Sequence, residues 1–208
     1  MTFDFDFIQW LMGPPIRVSA TAVNIETGTP GEITAVLDYG GISSATVLAS
    51  GMMPASFPFS VGFRALFERG AFELETVFKD GPPESTFVFF PEAGTSRILE
   101  IPGHNPYEKE LQHFAHCIRG KGDATLLDAQ HAVEALRLSL ATQQSLRDRG
   151  AIDLVQSAAR PQTEAFRRRR AIRDRCYLPA RQRCRLFQRS RAVGVALHRG
   201  SDRAGEGG

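Results

Sequence analysis

Between residues 16 and 101, apolar and polar residues alternate in short runs, which is the pattern of β-strands. Turn sequences separate the runs, among them Gly40-Gly41, a strong two-residue hairpin signal. The pattern predicts about seven strands, at residues 16–27, 32–39, 42–50, 61–67, 71–78, 86–90 and 96–101. Because no helical stretch lies between them, an antiparallel meander is favoured over a doubly wound parallel sheet.

A short segment at the start of the chain has helical spacing instead. Four of its large apolar residues share one face, namely Phe7, Ile8, Trp10 and Leu11. The sequence Gly13-Pro14-Pro15 then ends the helix, and the apolar face is expected to pack on the sheet. Asp4 or Asp6 is expected to cap the helix, because a carboxylate accepts the unpaired amide hydrogens of a first turn.

Two longer helices are predicted after the strands. The first runs from Tyr107 to Arg119, with Asn105 as its cap and Pro106 in its first position. Its apolar residues recur at helical spacing: Tyr107, Leu111, Phe114 and Ile118. The second runs from Asp128 to Arg147, with an expected buried stripe of Ala129, Ala132, Val133, Leu136, Leu140 and Ala141. A last short strand is expected at residues 151–155.

Together these elements predict an α+β domain over residues 1–157, an open, mostly antiparallel β-sheet with helices on one face. The helices cannot cover both faces of so many strands, so the second face is expected to present apolar surface to a partner. A homo-oligomer formed through this open sheet face is therefore predicted.

Charge divides the chain into two parts. Residues 160–208 hold 14 Arg, no Lys and 4 acidic residues, whereas residues 1–159 hold 11 basic and 19 acidic residues. Residues 158–208 also lack sustained periodicity and are predicted to form a disordered, Arg-rich tail or a frame-shifted gene end. Nucleic-acid binding by the Arg cluster at 167–170 is the less favoured alternative.

Cysteine content and hydropathy indicate the compartment. The three cysteines, Cys117, Cys176 and Cys184, form no spaced framework typical of disulfide-stapled secreted domains. The chain has no signal-peptide pattern at its start and no uninterrupted apolar run of membrane-spanning length. A cytoplasmic protein without a membrane partner is expected.

Several sequence motifs, in this order, resemble one enzyme family. They are the run Asp4–Gly13, the strand Arg17–Ala20, Asn105-Pro106-Tyr107 with Glu110 and Phe114, and Leu138–Ala141 with Ser145-Leu146. Over residues 3–155 the chain resembles the C-terminal domain of the glucose-fructose oxidoreductase, inositol dehydrogenase and MocA-like oxidoreductases. The resemblance implies a domain that lines a substrate site and forms subunit interfaces, beside a Rossmann domain that binds NAD or NADP.

The chain departs from that family at the positions that carry chemistry. It has no Gly-x-Gly-x-x-Gly after a strand and no Glu-Lys-Pro motif of the kind that supplies the family's catalytic lysine. The family's proton-transferring histidine would stand at Phe3, and phenylalanine exchanges no proton. These absences suggest that the chain is a fragment without the Rossmann half. Such a fragment is expected to bind no cofactor by itself and to have no catalytic residue of its own.

The remaining candidates are weighed against simpler roles. Asp4, His104 and Tyr107 are the substrate-side candidates, since the resemblance puts Asp4 beside the active site and the other two lie at a loop-to-helix junction. The simpler role for Tyr107 is that of a buried aromatic residue at the start of the helix. His113, His116 and Cys117 share one helix but are too few for a metal site, and no metal is expected. Cys117 is expected to be a small buried thiol rather than a nucleophile.

The sequence therefore predicts part of an NAD(P)-dependent oxidoreductase that acts on a sugar, polyol or related hydroxylated substrate, inactive by itself. Two other functions stay open. One is a non-catalytic dimerisation or binding module that uses the sheet. The other is nucleic-acid binding by the Arg-rich tail.

Overall fold

The computed structural model describes residues 1–154, apart from 42, 102 and 104, and the backbone of residues 192–199. Nine strands lie in one sheet: β1 Arg17–Asn24, β2 Pro30–Asp38, β3 Ser44–Ser50, β4 Phe59–Phe67, β5 Gly70–Phe78, β6 Glu84–Pro91, β7 Arg97–Ile98, β8 Ile152–Asp153 and β9 Ala192–Arg199. The helices are α1 Thr2–Met12, α2 Pro106–Ile118 and α3 Ala129–Asp148, with a short 3-10 helix at Ala124–Leu127. All seven strands of the predicted series are present, and the α+β class is confirmed.

The sheet consists of two antiparallel meanders joined by β9. Strand order is β7-β6-β5-β4-β9-β3-β2-β1-β8. Consecutive strands pair directly within β1–β3 and within β4–β7, whereas β9 separates β3 from β4. Only the β3–β9 pair, among the described strands, is parallel. The mostly antiparallel sheet is therefore confirmed.

Strand β9 lies in the segment that the sequence predicts to be disordered. The structure aligns Gly194–Arg199 with both neighbours and Ala192 with β4 alone, where the sequence suggested no element. Their alternation, Ala-Val-Gly-Val-Ala-Leu, is compatible with a strand but too short to stand out beside the Arg-rich residues before it. The rest of the predicted tail, residues 158–191 and 200–208, lies outside the described residues.

Helix α1 covers the centre of the sheet through a face of three buried residues. Phe5 and Ile8 are completely buried and Leu11 nearly so, with Val18, Leu37 and Val47 of the strands in the same core. Phe7 packs on the Phe63 ring at a centroid distance of 5.1 Å, while Trp10 remains partly exposed. The predicted packing of α1 on the sheet is correct, although its centre is the Phe5 side of the helix.

The predicted cap of α1 is wrong. The helix begins at Thr2, with Met1 at the cap position and no side-chain hydrogen bond there. Asp4 consequently lies inside the first turn, where its Oδ2 is 3.2 Å from the amino-terminal nitrogen. The carboxylate still lies at the positive end of the helix dipole, which favours its charge. The predicted end is correct, since Gly13 has φ +86° and donates its N–H to the Gln9 carbonyl.

Helix α3 buries a different face from the one predicted. Val133, Leu136 and Leu140 are exposed, and the buried residues are Ala135, Leu138, Thr142 and Ser145. The two hydroxyl side chains can be buried because each bonds a backbone carbonyl: Thr142 donates to Leu138 O at 2.8 Å and Ser145 to Gly150 O at 2.6 Å. Small residues on this face let α3 approach α1 and β1 closely.

Helix α2 begins as predicted but does not cover the sheet. The Asn105 side chain accepts a hydrogen bond from the Tyr107 N–H at 3.0 Å, and Pro106 occupies the first turn. No residue of α2 is buried, and its apolar face of Tyr107, Leu111, Phe114 and Ile118 is exposed. The helices that cover one face of the sheet are therefore α1 and α3, rather than the two C-terminal helices together.

Candidate functional site

The start of α1 holds the first substrate-side candidate. Asp4 is largely shielded from solvent, because α1 packs against α3 and the middle of the sheet. Thr2 strengthens this junction through a 3.0 Å hydrogen bond between its hydroxyl and that of Ser139 on α3. The amino-terminal ammonium group stands 3.2 Å from the Asp4 carboxylate and balances its charge. Asp4 is therefore a fixed, ion-paired acceptor at one end of the helix.

Phe3 stands beside this carboxylate and faces solvent. Its side chain is 80% exposed, although it neighbours residues that anchor the helix to the core. An exposed position on the first turn of a fixed helix is suitable for a group that contacts a ligand. Phenylalanine at this position can contribute an apolar contact, but it cannot accept or donate a proton.

Tyr107, the second candidate, lies on the exposed side of α2. Its side chain is 74% exposed, so the alternative of a buried helix-start aromatic is wrong. The reason is that α2 packs on the short 3-10 helix Ala124–Leu127 rather than on the sheet. His104 lies outside the described residues. Asp4 and Tyr107 thus belong to helices with separate surroundings, and the structure does not bring them into one described site.

His113 and Cys117 are in contact on α2, whereas the sequence indicated only that they share one helix. The Cys117 Sγ lies 3.5 Å from the His113 Nε2, and the same nitrogen lies 3.0 Å from the Asp123 carbonyl oxygen. Because a carbonyl only accepts, Nε2 donates its proton to Asp123. Cys117 is half-buried rather than buried. Within the described part of the chain, no three His, Cys, Asp or Glu side chains are grouped as metal ligands would be.

Tyr39 is a partly buried residue with a buried hydroxyl, and the sequence did not single it out. Its hydroxyl is shielded from solvent at the end of β2 and, among the described residues, has no hydrogen-bond partner. Burial raises the pKa of Tyr39 above its ordinary value, since desolvation disfavours the charged phenolate. A strand-terminal tyrosine carries no sequence signal that distinguishes this environment from an exposed one.

Part of the second face of the sheet is exposed among the described residues, although Ser50 and Ser60 on that face are buried. Along one cross-strand row, Leu66 lies opposite Ala71, which lies opposite Phe90. Leu66 and Phe90 are exposed, as is Val36 on β2. Arg64 and Glu73 form an ion pair in the neighbouring row. This open sheet face, defined by Val36, Arg64, Leu66, Glu73 and Phe90, therefore combines apolar residues with both signs of charge.

The described elements do not form a dinucleotide site. Such a site needs parallel strands joined through a helix, with a glycine-rich turn at the helix N-terminus. Here the parallel pair is β3–β9, and β3 continues into the segment 51–58 and then β4 without a helix.

None of the described helices is both long enough and apolar enough to cross a membrane.

Comparison with known proteins gives a likeness in structure only. No protein-family profile matches the chain, and no curated protein sequence matches it. Solved structures do match, among them the yvaA oxidoreductase of Bacillus subtilis, at 18% identity and a TM-score of 0.54 over 74% of this chain and 50% of that chain. The chain shares the fold of these oxidoreductases. The predicted resemblance to the glucose-fructose oxidoreductase, inositol dehydrogenase and MocA-like group is thereby confirmed for the fold.

Two further structures of the same fold were solved with small molecules. Aldose-aldose oxidoreductase from Caulobacter crescentus, complexed with glycerol, matches at 13% identity and a TM-score of 0.56, over 74% of this chain and 45% of that one. The WlbA dehydrogenase from Bordetella pertussis, in complex with NADH and UDP-GlcNAcA, matches at 17% identity and a TM-score of 0.52. The match covers 75% of this chain and 44% of that one. The chain therefore spans about half the length of these oxidoreductases.

Proposed function

We propose that the chain is the substrate-side half of an NAD(P)-dependent oxidoreductase that acts on a sugar, a polyol or a related hydroxylated compound. The observation that carries the proposal is the fold, shared over three quarters of the chain with oxidoreductases about twice as long as the matched region. Two of those enzymes were solved with glycerol or with NADH and a nucleotide sugar, which supports a hydroxylated substrate and a nicotinamide cofactor.

In this proposal the chain binds and orients the substrate and supplies no catalytic group. Hydride would pass between a substrate carbon and a nicotinamide held by a separate dinucleotide-binding domain. Asp4, fixed at the start of α1, would accept hydrogen bonds from substrate hydroxyls, and Phe3 beside it would give an apolar contact. Tyr107, with its exposed phenol on a separate helix, stays a second candidate for a polar contact with the substrate. Phe3, at the position where the resemblance expects the proton-transferring histidine, cannot supply the proton transfer that oxidation of an alcohol requires.

The chain by itself is therefore expected not to catalyse turnover. NAD⁺ or NADP⁺ reduction, followed at the nicotinamide absorbance with glucose or myo-inositol as substrate, should equal the rate without protein. The reason is that the described elements hold no cofactor fold, and that Phe3 stands where the resemblance expects the proton-transferring histidine. A complete sugar dehydrogenase assayed in parallel shows that the conditions permit detection. Reduction that scales with the concentration of this chain would contradict the proposal.

A dimer formed through the open sheet face is the second candidate function. The face joins exposed apolar residues to an Arg64–Glu73 pair, and both signs of charge on one surface suit pairing with a second copy about a two-fold axis. Interfaces of this kind contain an apolar centre within a polar rim. Nucleic-acid binding by the Arg-rich residues 167–170 stays a prediction, since they lie outside the described residues.

Leu66→Glu is expected to convert a dimer into a monomer, because it places a charge at the centre of the open sheet face. Light scattering coupled to size exclusion measures the mass directly. Leu111→Glu is the control, since Leu111 is also an exposed leucine but lies on α2, away from the sheet. A monomeric parent chain, or dimers that persist in Leu66→Glu, would exclude this interface.

A further inference from the structure

The two meanders of the sheet are joined at a single place, between β3 and β4. These strands follow one another in the chain, yet they do not pair, because β9 lies between them. Six residues of β3, from Ser44 to Ala49, align with β9 in parallel, and Val61 to Phe67 of β4 align with it in antiparallel. We call the space between β3 and β4 the strand slot. It is defined by Ser44–Ala49 on one side and Val61–Phe67 on the other.

The strand slot belongs to the core rather than to an edge of the sheet. Ala45, Val47 and Ala65, which line it, are almost completely buried, and α1 packs over both β3 and β9. An empty slot would expose this core and leave the facing N–H and C=O groups of two strands unpaired. Unpaired buried backbone groups are rare because each costs about as much as a lost hydrogen bond. The slot therefore requires an extended segment.

The segment that fills the slot is not fixed there by a turn. Strand β9 is joined to neither neighbour by a hairpin, and 38 residues separate it from the end of β8 at Asp153. A connection of that length can span up to about 125 Å when extended, which is enough to reach an adjacent molecule. Main-chain hydrogen bonds hold an added strand regardless of the chain that supplies it.

We propose that the strand slot is a strand-exchange site, in which the Ala192–Arg199 segment of a second copy of this chain takes the place of the chain's own β9. The bound segment runs parallel to β3 and antiparallel to β4 in the same register, and the exchange is mutual. Exchange of an identical element conserves every backbone hydrogen bond of the sheet, so it involves little loss of stability. The exchanged dimer is held by backbone pairing within the slot. It requires neither a face-to-face contact of two sheets nor the substrate-side residues, so this proposal stands apart from the proposed function.

A disulfide across the register tests the proposal. Arg64 on β4 lies directly opposite Ala196 on β9. Opposed Cα atoms of paired strands are separated by about 4.5–5.5 Å, within the range that a disulfide spans. In full chains whose three native cysteines are replaced by serine, one variant carries Arg64→Cys and the other Ala196→Cys. The two are unfolded in urea, refolded together and then oxidised.

Disulfide-linked heterodimer, counted on a non-reducing gel and identified by mass spectrometry, is expected at several-fold the yield of a control mixture. The control pairs Ala196→Cys with Gln130→Cys, an exposed position on α3. The yield of the Arg64→Cys and Ala196→Cys heterodimer should rise with the protein concentration during refolding. The double variant Arg64→Cys/Ala196→Cys separates the remaining cases. If the double variant closes internally while the mixture matches the control, the strand stays within its own chain and the proposal is wrong. If neither forms a disulfide, this segment does not fill the slot, and the proposal is equally wrong.

Discussion

Phe5→Ala is expected to lower the free energy of unfolding by about 3–5 kcal/mol, the range found when a buried phenylalanine is truncated. Phe5 has no exposed surface and lies with Ile8 at the contact between α1 and the sheet. Alanine would leave a cavity beneath the helix that the surrounding strands cannot fill, because they are held by their ladders. Urea unfolding followed by circular dichroism measures the effect, which should also lower the thermal midpoint by about 10 °C.

Phe3→Ala supplies the matched control on the same helix. Phe3 is the same residue type two positions earlier, but it is 80% exposed, and exposed substitutions usually change stability by less than about 0.5 kcal/mol. The difference between the two variants isolates the buried contact from helix propensity. Equal losses of stability in both variants would mean that α1 does not pack through its Phe5 side.

Ser145→Ala is expected to destabilise the fold by about 2–4 kcal/mol although it removes a single oxygen atom. The hydroxyl of Ser145 accepts a 2.9 Å hydrogen bond from the Ala20 N–H and donates a 2.6 Å hydrogen bond to the Gly150 carbonyl. It therefore ties α3 to both β1 and the turn that leads into β8. Alanine leaves two backbone groups without a partner at a position that has no exposed surface. Chemical denaturation gives the free energy, and hydrogen exchange at the Ala20 amide reports the lost bond directly.

Ser139→Ala on the same helix is the comparison. The hydroxyl of Ser139 bonds Ala135 O within the helix and the Thr2 hydroxyl, and its side chain is only half-buried. Alanine also has the higher helix propensity, which offsets part of the loss. The Ser139 variant is expected to retain most of the parent stability. A Ser145 variant as stable as the Ser139 variant would refute the bridging role.

The positions of the elements could be predicted from sequence because each depends on local chemistry. The strands β1 to β6 were located by alternation and by turns such as Gly40-Gly41, and α2 by Asn105 and Pro106 at its start. Helix caps and hairpin turns are fixed by a few neighbouring residues, so a single sequence contains the information.

The buried faces of the helices could not be predicted because they depend on the partner element. Helix α3 has an apolar stripe through Leu136 and Leu140 and a small, polar stripe through Ala135 and Ser145, and hydrophobicity alone favours the first. The structure buries the second, because its hydroxyls find backbone partners and its small side chains permit close packing. Similarly, no local signal shows that α2 packs away from the sheet or that β9 enters between β3 and β4.

The candidate site was only partly accessible to sequence reasoning. Resemblance directs attention to Asp4, and the structure shows it as a shielded carboxylate beside the exposed Phe3. Its ion pair with the amino-terminal nitrogen follows from the helix beginning at Thr2, which the sequence pattern placed later. The exposure of Tyr107 depends on where α2 packs. The prediction that Tyr107 is a buried aromatic residue is therefore wrong.

The central claim, that this domain meets a hydroxylated substrate but not the nicotinamide cofactor, is tested most directly by a nuclear magnetic resonance titration of the ¹⁵N-labelled chain. Glucose, myo-inositol and NADH are added separately, and amide shifts are followed residue by residue. The account predicts shifts at residues 2–4 with glucose or myo-inositol, and no specific shifts with NADH. Saturable shifts caused by NADH, or no response at residues 2–4 to either hydroxylated ligand, would contradict it.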